Sequence, residues 1–366
     1  MSEPLKYMYN PQFFERLCPV LKEVIPQFEE RKFVHSVFDT RWPELELKQR
    51  TRQVTQALHS CLPVEFPKAM EMVVSISHLL RKDKEHEQMY PFIFLPEYIE
   101  LYGMNHFELS MKAIEESTKL VSAEFAIRPF IIRYPKETMK YMLQWSRHPE
   151  PPVRRLSSEG CRPRLPWAMA LPEFKKDPSP ILPILENLKT DSSEYVRRSV
   201  ANNLNDIAKD HPELALKIAK KWRGKNPATD WIVRHGCRTL LKRGNEAILD
   251  LHGFNPQSKA GIRDFQVTPK VSIGDHLEFS FMFISKEKSA SRFRLEYAID
   301  YQTLSGKVSK KVFKVTENTF EPSLAYYFKR KQSFKDFTTR KHFKGKHCLR
   351  ILSNGKELAS TEFFVS

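Results

Sequence analysis

Val196-Arg-Arg-Ser-Val-Ala-Asn-Asn-Leu-Asn-Asp-Ile-Ala-Lys-Asp-His-Pro-Glu-Leu-Ala-Leu-Lys-Ile-Ala-Lys-Lys-Trp222 reads as two helices joined by a turn. Val196, Val200, Leu204 and Ile207 recur at helical spacing and predict one buried stripe. His211-Pro212 stops that helix, because proline lacks the amide proton a helix interior needs. A second helix then presents Leu214, Ile218 and Trp222 inward. A helical pair of this length cannot bury its apolar face alone. It belongs to a stack.

The stack is visible upstream and downstream. Ile127-Arg128, Val153-Arg154-Arg155, Val196-Arg197-Arg198 and Val233-Arg234-His235 are expected to open successive helices. The last three lie 43 and 37 residues apart, the period of HEAT-type repeats. Earlier, Phe13, Leu17, Leu21 and Val24, then Val54, Leu58 and Cys61, give the same periodicity, with prolines clustered between segments. Residues 1–254 therefore predict an all-α helical-repeat solenoid, whose concave face can track a long ligand.

Near residue 244 the pattern changes. His252–Gly261 reads as a linker, placed at 255–263, and residues 264–366 alternate with period two. Leu277, Phe279, Phe281 and Phe283 form one such strand; Phe293, Leu295, Tyr297, Ile299 and Tyr301 form another. Asn354-Gly355 is a two-residue hairpin signal. The prediction is an all-β sandwich of immunoglobulin-like architecture, without the Cys…Trp…Cys pattern of antibody domains, since no tryptophan follows Trp231.

Composition narrows the partners. With 41% hydrophobic and 12% aromatic residues the chain is not a disordered protein, and no apolar run approaches the ~20 residues that span a bilayer. The beginning of the sequence shows no signal-peptide core, which places the protein in the cytoplasm. Five dispersed cysteines predict free thiols, and the histidines form no metal motif, so neither metal nor cofactor is expected. His342 and His347 stand in a basic stretch and are expected to be solvated. The net charge of +16 argues for a polyanion, nucleic acid first. Residues 256–366 hold 21 Lys+Arg against 11 Asp+Glu, so the smaller part carries most of the excess. Within it, Phe328 to His347 interleaves basic and aromatic residues, Lys329, Arg330 and Lys331 among them. This is either a lysine-protected sheet edge or a phosphate-contacting surface.

One stretch is chemically unusual: Val153-Arg-Arg-Leu-Ser-Ser-Glu-Gly-Cys-Arg-Pro-Arg-Leu-Pro-Trp167. A helix is expected up to Arg162, and Pro163 and Pro166 end it. Arg155, Glu159 and Arg162 share one face of that helix. Positive charge at such spacing favours the ionised form of a carboxylate. Trp167 then stands beyond the helix end, where its ring could stack or wedge. Taken alone, the spacing also fits ordinary repeat salt bridges.

These residues, together with Ser122-Ala-Glu-Phe-Ala-Ile-Arg-Pro-Phe-Ile131 and Val196–Asp206, resemble the AlkC branch of the AlkC/AlkD DNA alkylation-repair glycosylases, over residues 1–254. Some AlkC proteins carry a C-terminal immunoglobulin-like domain, and residues 264–366 fit that variant. The resemblance implies a monofunctional, metal-free bacterial glycosylase that works at the nucleoid. It would excise N3-methylated bases such as 3-methyladenine and 3-methylcytosine from double-stranded DNA without flipping them into a pocket. It also implies that Glu124, Glu159 and Asp206 are the site carboxylates and that Arg155, Arg162 and Trp167 accompany them at the DNA.

A cationic base leaves readily, so what the reaction needs is carboxylates that stabilise the sugar cation and aim a water. Each residue also has a structural alternative. Glu124 could pair with Arg128, Asp206 with a neighbouring arginine, and Trp167 could be repeat core. Arg154, Arg197, Arg198 and Arg234 are either phosphate clamps or intra-solenoid salt bridges. Two other functions stay open: a non-catalytic HEAT-repeat binder of distorted duplex, and a protein scaffold. A monomer is the simplest expectation, with the β domain as a second grip on DNA.

Overall fold

The computed structural model describes residues 4–82, 89–337 and 341–366. It consists of a helical part followed by eight strands, β1 (Ala260–Val267), β2 (Lys270–Val271), β3 (His276–Ser285), β4 (Ser291–Gln302), β5 (Val308–Phe320), β6 (Ala325–Ser333), β7 (Gly345–Ser353) and β8 (Lys356–Val365). No helix among the described residues is long and apolar enough to cross a membrane. The chain separates into two compact units, Met1–Asp210 with Arg223–Gly236, and His211–Trp222 with Cys237–Ser366.

In the first unit, helix Glu194–Asp210 packs between helices Pro151–Glu159 and Pro227–Gly236. Because it has a neighbour on either side, its burial extends beyond the Val196, Val200, Leu204, Ile207 stripe to Ser199, Asn203 and Asp206. Helix Pro151–Glu159 starts on Pro151-Pro152, whose ring-fixed φ suits a first turn, and buries Val153 and Leu156. It ends one turn sooner than expected, at Glu159. The pre-proline position of Arg162 disfavours helical backbone, and Arg162 N instead closes a turn on Glu159 O at 3.2 Å. Gly160 lets this turn lie against helix Ile127–Arg133, since a Cβ there would come within 2.6 Å of Ile127 Cγ2. A second expectation also shifts. Val233 does not open a helix but lies well inside Pro227–Gly236, whose start is set by Pro227 and by Asn226 Oδ1 accepting from Thr229 N at 3.0 Å.

In the second unit the sandwich comprises a three-stranded sheet, β1-β3-β6, and a five-stranded sheet, β2-β8-β7-β4-β5. The alternating residues of β3 and β4 fill its core, with Phe320, Phe334, Leu349, Ile351 and Phe363. Strand β4 departs from simple alternation, because Arg294, Glu296 and Ala298 on its other face are buried too. Helical residues of the same unit lie against that side: Gly355 approaches Gly244, and Arg292 covers the ring of the fully buried Phe254 at 4.8 Å. The stretch expected as a linker is consequently fastened. Asn354 Nδ2 donates to Asn255 O at 2.9 Å, and β1 already begins at Ala260. In helix Pro212–Trp222 the buried side chains are Ala215, Ala219 and Trp222, so the inward stripe is turned one residue from the expected Leu214 and Ile218. His342 and His347 are not solvated. They are buried against Tyr301 and Phe334, and burial pushes the His347 imidazole below its usual range.

The Asn354-Gly355 hairpin has positive φ at both central residues, 46° and 81°, as a two-residue turn between twisted strands requires. At Gly355 a Cβ would sit 2.7 Å from Gly244 Cα, where only backbone can yield. Gly355→Ala is therefore expected to lower stability by more than ~1 kcal/mol, read as a lower denaturant midpoint of the second unit. An unchanged midpoint would contradict this packing.

Candidate active site

The three carboxylates that lie far apart in sequence meet in one chain of alternating charge. Arg155 Nη1 donates to Glu124 Oε2 and, at 2.7 Å, to Ser122 Oγ, while Ser122 Oγ itself donates to Glu124 Oε2 at 2.8 Å. Arg155 Nη2 lies 3.6 Å from Glu159 Oε1, which also accepts from Arg162 Nη1 at 2.6 Å. Arg162 Nε then donates to Asp206 Oδ2 at 2.9 Å, and Lys209 Nζ reaches Asp206 Oδ1 at 2.9 Å. Glu159, Arg162 and Asp206 are all buried. Burial alone would lower the pKa of Arg155 and Arg162, but their carboxylate neighbours outweigh it and raise both above the ordinary guanidinium value.

The oxygens differ in what they have left. Both carboxylate oxygens of Asp206 are occupied. Glu159 Oε2 is buried and has no partner among the described residues, and Glu124 Oε1 accepts no hydrogen bond there either. An unmet buried acceptor costs about 1–3 kcal/mol. Desolvating several ions costs more, and apolar residues could fill the same volume at equal or better stability.

Arg128 holds the frame. The alternative pairing with Glu124 is not made. The fully buried guanidinium donates instead to backbone oxygens of Met169 (2.7 Å), Gly160 (2.9 Å) and Arg162 (2.8 Å), and burial brings its pKa down to about 10. It thus ties the end of the Glu159 helix to the loop carrying Trp167. That tryptophan is 59% exposed at φ 63°, a left-handed backbone that costs a bulky residue about 1–2 kcal/mol. Lys48 Nζ holds its carbonyl oxygen. Tyr195, not anticipated from the sequence, lies under Arg155 with 4.5 Å between guanidinium carbon and ring centre. Its position directly before the Val-Arg-Arg phrase was the available signal.

The remaining candidate cations do not join this cluster. Arg154 forms a two-pronged pair with Asp191 (2.6 and 3.0 Å) and also donates to the carbonyls of His148 and Pro149. Arg197 Nη1 likewise turns to the carbonyls of Asp191 and Ser192, both at 2.7 Å. Arg154 thereby ties its helix start to the Asp191 turn of the next repeat, whereas Arg197 closes the carbonyls at the start of its own helix. Arg198 pairs with Glu194 on an exposed helix face, and Arg234 is exposed on helix Pro227–Gly236. On β6, Lys329 and Lys331 are exposed around Glu278 at 3.2 and 2.5 Å, whereas Arg330 turns back to Val315 O at 3.2 Å. Residues 338–340 of that basic stretch lie outside the described residues. No group of His, Cys, Asp and Glu among the described residues is arranged to hold a metal ion.

Fold and site together define a HEAT-type repeat protein with a buried carboxylate–arginine cluster and an appended immunoglobulin-like sandwich. A HEAT-repeat family model matches residues 181–211, and the family model of the C-terminal Ig-like domain of YhaZ matches residues 261–366. Uncharacterized protein YhaZ of Bacillus subtilis (strain 168) is 42% identical over 362 residues, covering 99% of both chains. The solved structure of Pseudomonas fluorescens alkylpurine DNA glycosylase AlkC, bound to DNA containing an abasic site analog, is 36% identical. It superposes with a TM-score of 0.91 over 100% of both chains. The chain belongs to the AlkC-type family, in the form that carries a C-terminal Ig-like domain.

Replacing Arg128 by Met would leave three backbone carbonyls, two of them buried, without their donor. A loss of ~3 kcal/mol or more in unfolding free energy of the first unit is expected, with Lys in its place restoring little because one ammonium cannot span three acceptors. Wild-type stability of Arg128→Met in a denaturant titration would show that the frame does not depend on it.

Proposed function

We propose that the protein is a monofunctional DNA glycosylase that hydrolyses the N-glycosidic bond of N3-alkylated, cationic bases in double-stranded DNA, 3-methyladenine and 3-methylcytosine first. It would act as a monomer at the nucleoid, in the base-excision route, without flipping the lesion into a pocket. The observation that carries this reading is the Glu124–Arg155–Glu159–Arg162–Asp206 chain, buried from Glu159 onward, with Glu159 Oε2 left unpartnered. Full-length likeness to an alkylpurine DNA glycosylase supports it.

The chemistry follows from the charges. As the bond from C1′ to the ring nitrogen breaks, its electron pair goes to the base, whose positive charge is thereby cancelled. The sugar takes on oxocarbenium character, which the unpartnered oxygens of Glu159 and Glu124 stabilise. A water adds to C1′ and passes its proton to one of these carboxylates and then to solvent. Arg155 and Arg162 hold the acids in place, and Trp167 offers an exposed ring for the distorted duplex. Asp206, with both oxygens engaged, is a positioning residue for Arg162. Neutral bases lack this departure and are spared.

Base release from a duplex treated with a methylating agent tests the assignment. Wild type should free 3-methyladenine. Glu159→Gln should lose release by at least ~100-fold while binding DNA as well or better, since a carboxylate beside phosphates is removed. Asp206→Asn should keep part of the rate. Binding without release by wild type would instead identify a recognition protein for distorted duplex.

The sandwich is inferred to add grip through the exposed Lys329 and Lys331. Changing both to Glu should weaken DNA binding and flatten its dependence on log salt by up to about 2. An unaltered slope would remove β6 from the DNA surface.

A further inference from the structure

Beside the carboxylate chain the first unit contains a cleft of about 810 Å³ that shares Trp167 with the DNA-facing surface and to which the steps above assign no ligand. Its walls come from helix Leu47–His59, helix Phe94–Tyr102, the Ser122–Ala126 turn and the Trp167–Met169 loop. Ser122 stands in the shared wall, with its Oγ bonded to both Glu124 and Arg155. A volume of this size is that of a small-molecule site, and the cleft presents flat apolar surface at Tyr90, Phe125 and Trp167.

The polar groups of the cleft select its ligand. The cations each have one acidic or carbonyl partner: Arg41 pairs with Asp39 (2.9 and 3.1 Å), Arg52 donates through Nε to Glu97 (2.8 Å), and Lys48 donates to the Trp167 carbonyl. Both oxygens of Glu97 accept a hydrogen bond, the second from Thr55 Oγ1 at 2.9 Å. Glu100, one helical turn further on, lines the cleft and makes no hydrogen bond among the described residues. Glu100 thus offers the cleft a carboxyl with no hydrogen-bond partner of its own, able to accept from an N–H donor. Gln49 spends its oxygen on Glu46 N at 2.8 Å, so its amide NH₂ remains to donate to a ring nitrogen. A flat ring that donates from an exocyclic amine and accepts at a ring nitrogen matches all three features.

We propose that this cleft binds a free aminopurine base, with Glu100 accepting from the exocyclic amine and the aromatic side chains covering the ring. The inference rests on the glycosylase reading, in which such a base is the leaving group released on the other side of Ser122. Glu100 would keep the base from re-entering the duplex without taking part in bond cleavage.

Titration calorimetry on the full chain, with adenine and 3-methyladenine as probes, tests this. Wild type should bind both, Glu100→Leu at least about tenfold more weakly, and Glu100→Gln with a smaller loss because its carbonyl still accepts. Folding of the variants is checked by their melting. Burial, followed by repulsion from Glu97, pushes the Glu100 carboxyl up to about 7, so the native state holds a proton there that the unfolded chain has lost above pH ~4.5. That group's contribution to stability therefore falls as pH rises toward 7. Glu100→Leu should melt higher than wild type at pH 8, with the gain vanishing toward pH 4.5.

Absence of base binding by wild type, or equal binding by Glu100→Leu, overturns the proposal. Excision measured in parallel keeps the two readings apart. Excision without base binding removes the cleft's role alone, and base binding without excision removes the glycosylase alone. After a single turnover on duplex carrying labelled 3-methyladenine, label retained by wild type but not by Glu100→Leu assigns the bound base to the reaction. Binding of added base without such retention assigns it to the free purine pool.

Discussion

Glu159 lies between two guanidiniums in a place water barely reaches, and much of the first unit is arranged around that fact. An isolated carboxylate so deeply buried would cost far more than a domain's margin of stability. Arg155 and Arg162 reduce the cost, and each needs a second acid, so Glu124 and Asp206 extend the chain outward. Lys209 closes one end and Ser122 the other. The network is balanced in charge yet leaves one buried oxygen unmet.

Keeping this chain in register requires a rigid frame. Arg128 supplies it by holding three carbonyls from two segments that meet at the end of the Glu159 helix. Gly160 allows the close approach of the Ile127–Arg133 helix that makes this reach possible. Pro163 and Pro166 stiffen the loop beyond, and the strain of a left-handed Trp167 is carried by contacts around it, Lys48 among them. The exposed ring is thereby presented as part of a fixed surface.

The second unit obeys a different constraint. Strand β4 is buried on both faces, because the sandwich core takes one side and helical residues of the same unit take the other. Arg294, with Glu296 at 2.5 Å and Glu317, makes a second buried charge cluster on that outer side. The helices 212–222 and 238–251 group with the strands, so a boundary drawn from the change in periodicity alone does not mark the compact units.

Periodicity was sufficient to read the helices, the strands and the Asn354-Gly355 turn, since each depends on neighbours within a few residues. The acids and arginines of the site were legible as residue types in unusual phrases, and a family resemblance pointed to their use. That Glu159 lies between Arg155 and Arg162 was legible from their spacing of four and three, but which cations Glu124 and Asp206 face was not. Arg155 and Glu124 are 31 residues apart, and Arg162 and Asp206 are 44. Spacing tells which helix face a side chain occupies, but only the stacking of neighbouring repeats decides what stands opposite that face. The same holds for Arg154 and Arg197, turned inward by Asp191 and open carbonyls. It holds too for Arg128, whose partners are backbone atoms that carry no sequence signal. Local chemistry was written in the chain; pairing and burial were decided by long-range packing.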